Sequence, residues 1–272
     1  LDQRTTTATT SSSFTYDANG NRKTENLGSY AYLANSNRLQ STPQGSISLD
    51  PAGNTLSDAT RSYTYNNVGQ VSTVAGAGYS YNAQRLRSRK IVGSVGTVYH
   101  YDLGGNLIAE SDTAGVMRRS YVWADGQPLA QIDLESRSGR ALPPRLPIAR
   151  LPAQATAEAL TFLHTDHLGT PRLATDPQGK VIWRWEGNAF GETLANEDVD
   201  WDGKLTTINL RFPGQYYDAE SGLHYNWNRY YDPKVGRYIT ADPVSVGEHV
   251  QSTLDNLRSG GANGQMPIEL NP

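Results

Sequence analysis

The sequence predicts a mainly β protein, in which short hairpins repeat along the chain and pair edge to edge, with one short helix near the carboxyl terminus. Hydrophobic residues make up only 37% of the 272 residues, and 16 of them are tyrosines. Few residues are therefore left for a conventional apolar core. Aromatic pairs recur at a regular period, and only one segment shows apolar residues at helical spacing.

The repeat occupies the amino-terminal half of the chain. It consists of aromatic or apolar pairs separated by one residue, such as Phe14–Tyr16 and Tyr63–Tyr65. The position that follows each pair recurs at intervals of 16 or 17 residues, with a last interval of 20, at Asp17, Leu33, Asp50, Asn66, Asn82 and Asp102. A fixed period of this kind indicates that each repeat is one supersecondary unit.

Each unit reads as a β-hairpin. Strand alternation places the rings of Tyr63 and Tyr65 on one face and Thr64 on the other. An Asp or Asn then opens a turn, because its side chain can accept hydrogen bonds from backbone amides two residues on. Gly53 and Gly69 supply the positive φ that the turn needs. We interpret the tyrosines as packing residues, with a sugar-binding ladder of exposed rings as the alternative.

A proline-rich insertion interrupts the β pattern at residues 134–159. It contains four prolines and four arginines. Proline fixes φ and has no amide to donate, so this stretch cannot be a central strand. We expect a basic, extended loop that is solvated, or alternatively one that binds a partner.

The single predicted helix spans residues 245–259. Ser245 and Glu248 match a capping box, and Gly260-Gly261 would end the helix. Its apolar stripe consists of Val246, Val250, Leu254 and Leu257. We expect this stripe to pack against the neighbouring carboxyl-terminal region, and partner docking is the alternative.

Composition excludes several classes of protein. The chain has no cysteine, which rules out disulfide scaffolds, thiolate zinc sites and cysteine catalysis. A net charge of -3 with scattered cations is a poor footprint for nucleic acid, and no apolar run is long enough to span a membrane. We expect no cofactor, since no glycine-rich loop opens a helix. A start at Leu1, without a signal peptide, suggests a piece of a longer protein.

The motifs of the chain resemble those of a known family. The hairpin period is similar to the YD repeats of RHS (rearrangement hot spot) proteins and of teneurin-like YD shells, and the carboxyl-terminal half resembles the RHS-associated core. The matching stretches are HTDHLGTPR at 164–172, WRW at 183–185, NAFGE at 188–192, LRFPGQYYD at 210–218, GLHYN at 222–226, RYYDP at 229–233, GRY at 236–238 and DP at 242–243.

The resemblance implies a fold and a function. In this family the hairpins wind into a spiral, hollow, barrel-like shell, which in bacteria often encloses a carboxyl-terminal toxin. It implies YD hairpins over residues 1–133, the insertion at 134–159, and the core that plugs the shell over 160–272. The implied partners are the toxin domain and the rest of the shell, with secretion-system proteins or surface carbohydrate as further possibilities. The implied location is secreted or at the bacterial cell surface, and the alternative function is binding of carbohydrate or another cell.

The resemblance also implies self-cleavage by aspartyl-type chemistry. Asp242 and Arg229 match the family's autoproteolytic Asp and Arg, and Asp232 is the nearest second carboxylate in sequence. Two close carboxylates can share a proton, one acting as base and the other as acid. The alternative is that both aspartates only open Asp-Pro turns. The chain departs from the family after Pro243, where Val-Ser-Val-Gly-Glu replaces the usual glycine-rich continuation.

Two acidic or histidine-containing stretches are candidate metal sites. Asp198, Asp200 and Asp202 resemble the first half of a calcium loop, but Asn209 stands where the bidentate glutamate belongs. We expect an acidic turn, with weak calcium binding as the alternative. His164 and His167 are three residues apart on an extended segment and would face opposite sides, which favours a structural part for them.

Overall fold

The computed structural model describes residues 3–7, 10–134 and 160–241, and these residues hold twenty-four strands and no helix. They divide into two compact units. The first contains the residues up to Ala75 together with those from Asn228 onward, and the second spans Gly76–Trp227. The predicted β class is confirmed. The predicted helix and most of the insertion lie outside the described residues.

Short antiparallel hairpins build the first unit. Strands β1 to β4, β5 to β7, β8 with β9, β10 with β11, and β23 with β24 pair in chain order. These strands are β1 Gln3–Thr7, β2 Thr10–Tyr16, β3 Arg22–Glu25, β4 Gly28–Ser29, β5 Ala31–Tyr32, β6 Leu39–Thr42, β7 Gly45–Ser46, β8 Ser48–Leu49, β9 Thr55–Ser57, β10 Tyr63–Tyr65, β11 Val71–Val74, β23 Arg229–Asp232 and β24 Arg237–Tyr238.

The second unit is an antiparallel meander followed by a separate hairpin. Strands β12 to β20 pair in chain order, and β21 pairs with β22. The strands are β12 Ala77–Tyr81, β13 Arg87–Val92, β14 Val95–Tyr101, β15 Leu107–Asp112, β16 Met117–Ala124, β17 Gln127–Asp133, β18 Leu160–Thr165, β19 Pro171–Thr175, β20 Val181–Arg184, β21 Gln215–Asp218 and β22 Leu223–Asn226.

The predicted turn chemistry is present in the repeats. Asp17 Oδ1 accepts hydrogen bonds from the backbone amides of Asn19 and Asn21 at 2.9 and 2.8 Å, and Gly20 has a φ of 80°. The same side-chain bond to the amide four residues on recurs at Asp50, Asn66, Asn82 and Asp102. The acidic or amide residue that marks the repeat therefore sets the turn by a local hydrogen bond.

The first aromatic residue of each repeat pair packs in the core, as predicted, and the second is half-buried. Tyr63 is buried while Thr64 is exposed, in keeping with strand alternation. In the second unit, Tyr99 pairs with Glu110 and Tyr121 with Gln131 in neighbouring strands, so these side chains share one face of the meander. Tyr216 of β21 packs on that face, with its ring 5.3 Å from the ring of Tyr99 and its hydroxyl 3.1 Å from Glu110 Oε1.

Among the described residues, no helix is long and apolar enough to cross a membrane.

Candidate functional site

Two of the three residues expected for self-cleavage lie on strand β23. Arg229 and Asp232 are three positions apart, so strand alternation directs them to opposite faces. Asp232 is buried, whereas the guanidinium of Arg229 lies 3.7 Å from the ring centroid of Tyr238. The structure therefore does not bring Arg229 and Asp232 together. Asp242 lies outside the described residues, and its predicted part stays a prediction.

Asp232 belongs to a buried ion network. Its Oδ2 pairs with Nη2 of Arg61, and its Oδ1 accepts a hydrogen bond from the Lys234 amide at 3.0 Å. The same Arg61 donates from Nε to Asp58 Oδ2 at 2.8 Å, and the Tyr63 hydroxyl donates to that oxygen at 2.6 Å. Arg61 thus lies between two carboxylates, neither of which is free of partners.

Burial and charge act against each other in this network. Burial raises the pKa of Asp232, and the positive charge of Arg61 opposes that shift. At Asp58, burial is outweighed by hydrogen bonds from Tyr63 and the Thr60 amide and by Arg61, and the pKa is lowered. Both carboxylates are held by a fixed cation, which suits an anchor for the chain better than a mobile proton carrier.

Neither Asp58 nor Arg61 is predicted by the sequence pattern. Arg61 lies 171 residues from Asp232 along the chain. The local signal was an Asp and an Arg three residues apart, directly before the Tyr63 pair. A charged side chain just before a strand with a buried tyrosine comes close to the core. Its charge therefore requires a partner of opposite sign.

The candidate calcium loop brings its three carboxylates together. One oxygen from each of Asp198, Asp200 and Asp202 lies within 4.8 Å of the other two. Lys180 Nζ, however, is 2.6 Å from Asp200 Oδ2, and this contact is the main cause of the raised pKa of Lys180 and the lowered pKa of Asp200. Asn209 donates a hydrogen bond to the Tyr216 hydroxyl at 2.9 Å. The lysine ammonium is thus paired with a carboxylate that a bound cation would need as a ligand.

The histidine stretch has structural partners. His164 Nε2 lies 3.0 Å from the hydroxyl of Thr175 on the neighbouring strand. Asp166 opens a turn, accepts hydrogen bonds from the amides of Leu168 and Thr170, and pairs with Arg172. These contacts favour the structural interpretation of the stretch.

A buried arginine lies at the centre of the second unit. Arg87 is fully buried, and its Nη1 pairs with Oδ2 of the equally buried Asp218. Lys90 Nζ reaches Asp218 Oδ1 at 2.9 Å and Glu220 Oε2 at 3.1 Å. Four tyrosine rings have centroids 4.4 to 5.3 Å from the Arg87 guanidinium carbon, namely Tyr79, Tyr99, Tyr216 and Tyr225.

This centre joins the repeats to the carboxyl-terminal half of the chain within the second unit. The Arg87 amide donates to the Tyr225 hydroxyl at 2.7 Å, and the Tyr79 hydroxyl donates to Glu220 at 3.1 Å. The sequence pattern predicts the tyrosines in the core but does not predict the arginine. Arg87 stands five residues after the turn-opening Asn82, where Val71 stands relative to Asn66, so a charge at this position was the available signal.

A second buried cation lies in the core segment of the same unit. Arg211 donates to the carbonyl oxygens of Ile208 and Leu210 at 2.6 and 3.0 Å, and burial lowers its pKa. Its guanidinium carbon lies 4.9 Å from the ring centroid of Trp185, which is fully buried. His224 is also buried, with Nδ1 2.6 Å from Gln215 Oε1, and burial lowers its pKa to about 3. The imidazole is therefore neutral at pH 7.

A family model described as Teneurin YD-shell matches residues 2–257. The chain belongs to the teneurin YD-shell family. The resemblance to RHS and YD-repeat proteins is thereby confirmed over nearly the whole chain. The buried tyrosines and the Asp-opened turns described above are thus features of a YD-shell member.

Several curated relatives of this YD-shell chain carry the names of toxins. It is 29% identical over 263 residues to the double-stranded DNA deaminase toxin A of Burkholderia cenocepacia. This match covers 86% of this chain and 17% of the relative. It is 40% identical over 107 residues to the toxin protein Tse5 of Pseudomonas aeruginosa, covering 38% and 7%. It is 28% identical over 246 residues to the tRNA nuclease WapA of Bacillus subtilis, covering 85% and 9%. The chain thus spans less than a fifth of the length of these relatives.

Solved structures share the fold of the YD-shell chain. The crystal structure of TcdB2-TccC3-Cdc42 matches with a TM-score of 0.58 and 20% identity, over 86% of this chain and 12% of that one. A Photorhabdus luminescens Tc holotoxin pore with a TccC3 mutation matches with a TM-score of 0.59 and 18% identity, over the same shares.

Proposed function

We propose that this chain forms the closing part of a YD shell that encloses a toxin domain of the same polypeptide and helps to release it. One observation carries the proposal. Relatives named for two different activities, a DNA deaminase and a tRNA nuclease, match over 86% and 85% of this chain. Those activities require different active sites, so a region that both proteins share is better suited to containing a toxin than to acting as one.

Partners and location follow from the same proposal. The toxin domain and the remaining shell would be the direct partners, and proteins of a secretion system would be transient ones. A shell that delivers a toxin acts outside the cell that makes it, so we propose a secreted or cell-surface location. We propose no cofactor and no nucleic-acid partner for the shell region itself.

Release would depend on self-cleavage near the carboxyl end of the core. In the proposed reaction, the carboxylate of Asp242 takes a proton from a water molecule, which attacks the scissile carbonyl carbon. A second carboxylic acid protonates the leaving amide nitrogen, so that one peptide bond and one water yield a carboxylate and an amine. Arg229 would polarise the carbonyl. Asp232 is the predicted second carboxylate, although its ion pair with Arg61 favours an anchoring part.

The gel pattern of the full-length parent polypeptide tests this proposal. We expect the wild-type protein to run as two fragments on a denaturing gel, and the Asp242→Asn protein to run as one uncut chain. Asp198→Asn changes an acidic residue outside the cleavage machinery and should leave the cut intact. If the Asp242→Asn protein is processed like the wild type, Asp242 is not catalytic.

The adhesive alternative has less support from the fold. Tyr63, Tyr79, Tyr99 and Tyr121 are each no more than 7% exposed, so their rings are not available as a sugar-binding surface. A glycan array with the purified chain tests this alternative, and reproducible binding to one glycan class would revive it.

A further inference from the structure

The segment that leads to Asp242 contains a short hairpin. Strands β23 and β24 form a hairpin with only two paired positions, Tyr231 with Tyr238 and Asp232 with Arg237. So short a pairing supplies few backbone hydrogen bonds of its own. Within the first unit, contacts with the repeats help to fix the place of residues 229–241.

Arg61 provides the first of these contacts. It lies between β9 and β10, in the repeat region, and pairs with Asp232 at the end of β23. The side chains of both residues are at most 11% exposed, so the pair is protected from solvent. Asp58 holds the guanidinium from the repeat side and itself accepts a hydrogen bond from the Tyr63 hydroxyl, as described above. The ion pair thus fixes the end of β23 to one particular repeat.

Arg237 provides the second contact, from the other strand of the hairpin. Its Nη1 donates to Asn21 Oδ1 at 3.1 Å, and its Nη2 donates to the Asn37 carbonyl at 3.0 Å. Its guanidinium carbon also lies 5.4 Å from the ring centroid of Tyr32. Asn21 and Asn37 belong to the turns of two successive repeats, so one arginine joins β24 to both repeats.

Two hydrogen bonds to backbone carbonyls of the segment complete the attachment. The Thr55 amide, at the start of β9, donates to the carbonyl of Ile239 at 2.9 Å. The Lys234 carbonyl accepts a bond from Arg22 Nη1 at 3.3 Å. Ile239 is buried, and Asp242 follows it by three residues, a span of at most about 10 Å of extended chain. The repeats therefore help to determine where the chain enters the proposed catalytic segment.

We propose that self-cleavage requires the repeats to be folded. Arg61 and Arg237 are the positioning residues that connect the folded repeats to the β23–β24 hairpin. The inference rests on the self-cleavage put forward under the proposed function. The cut can proceed only when residues 14–75 have folded and captured the β23–β24 hairpin. A shell whose repeats are incomplete would then retain an uncut toxin domain.

The rate of self-cleavage in the full-length parent polypeptide tests the proposal. Arg61→Met removes the charge that holds Asp232, and we expect cleavage to slow at least about tenfold. Arg61→Lys restores a cation at the same place and should recover part of the rate. Arg237→Met should slow the cut as well, and the double variant should be slower than either single variant. Cleavage is followed over time on denaturing gels, below the melting temperature of each variant.

Two controls separate positioning from general instability. Leu163→Ala empties a buried site in the second unit and lowers stability without touching the β23–β24 hairpin, so it should cut at the wild-type rate. Arg118→Met removes an exposed ion pair and should also leave the rate unchanged. The proposal is overturned if Arg61→Met cuts at the wild-type rate, or if Leu163→Ala slows the cut equally. An uncut wild type would instead reject self-cleavage itself, and with it the requirement for folded repeats.

Discussion

The buried centre around Arg87 makes the sharpest prediction about stability. Arg87→Met keeps most of the side-chain volume but removes the charge that Asp218 faces in the interior. Removing one partner of a buried ion pair typically costs about 3–5 kcal/mol, because the other charge is left uncompensated. Lys90 remains 2.9 Å from Asp218 and offsets part of that cost. Loss of the cation–π contacts with the four tyrosine rings adds to the cost, at about 0.5–2 kcal/mol for one such contact.

We therefore expect Arg87→Met to lower the free energy of unfolding by about 3–4 kcal/mol, which is a large share of the ~5–15 kcal/mol of a typical domain. Urea unfolding of the purified chain, followed by tyrosine and tryptophan fluorescence, measures the change as a lower midpoint at an unchanged slope. Arg118→Met is the matched control, since its ion pair with Asp112 is exposed and should contribute less than about 1 kcal/mol. If the two variants lose equal stability, the buried centre does not stabilise the fold as reasoned.

Two further predictions concern local features of the second unit. Burial lowers the pKa of His224 to about 3 in the folded chain, against an unfolded value near 6.5, so the stability from this group is complete above pH 6.5 and is lost as the pH falls toward 3. The loss should reach about 3 kcal/mol at pH 4, and a His224→Gln variant measured by urea unfolding across that range should show a correspondingly flatter pH dependence. Gly105 has a φ of 85°, and an added Cβ would lie 2.7 Å from the Trp227 ring, whereas Gly115 has a φ of 82° with open space around it. Gly105→Ala should therefore cost clearly more than the roughly 1–2 kcal/mol of backbone strain expected for Gly115→Ala, and equal losses in thermal melts would contradict the packing argument.

Local patterns made the hairpins predictable. Asp17 and Asn66 open their turns by bonding amides two and four residues away, so a window of five residues contains all the information. Alternation around Thr64 likewise assigns Tyr63 to the core without knowledge of its neighbours. The fold class and the core position of the tyrosines could therefore be read from the chain itself.

The charged centres could not be predicted in this way. Arg87 and Asp218 are 131 residues apart, and Arg61 and Asp232 are 171 apart, so no local pattern connects them. Lys180 and Asp200 show the same limit, because the acidic loop reads as a calcium motif until a lysine from another strand connection enters it. A charge at a position that is apolar in neighbouring repeats signals a buried partner but does not say which residue supplies it.

The anchoring of the β23–β24 hairpin alters the interpretation of its acidic residue. From sequence, Asp232 was the nearest second carboxylate for an aspartyl-type reaction. In the fold it pairs with Arg61 and shares that arginine with Asp58. A buried carboxylate with both oxygens engaged is suited to holding a strand in place, and the catalytic part predicted for it stays a prediction.

Protease protection of the toxin region in the full-length parent polypeptide tests the proposed shell most directly. The Asp242→Asn protein is the best sample, because an uncut chain keeps toxin and shell in one polypeptide. Brief digestion with a broad-specificity protease should leave the toxin region intact under native conditions. After the shell is unfolded in denaturant, a protease that remains active there should degrade the same region. A toxin region that is digested at once while the shell remains folded would contradict encapsulation.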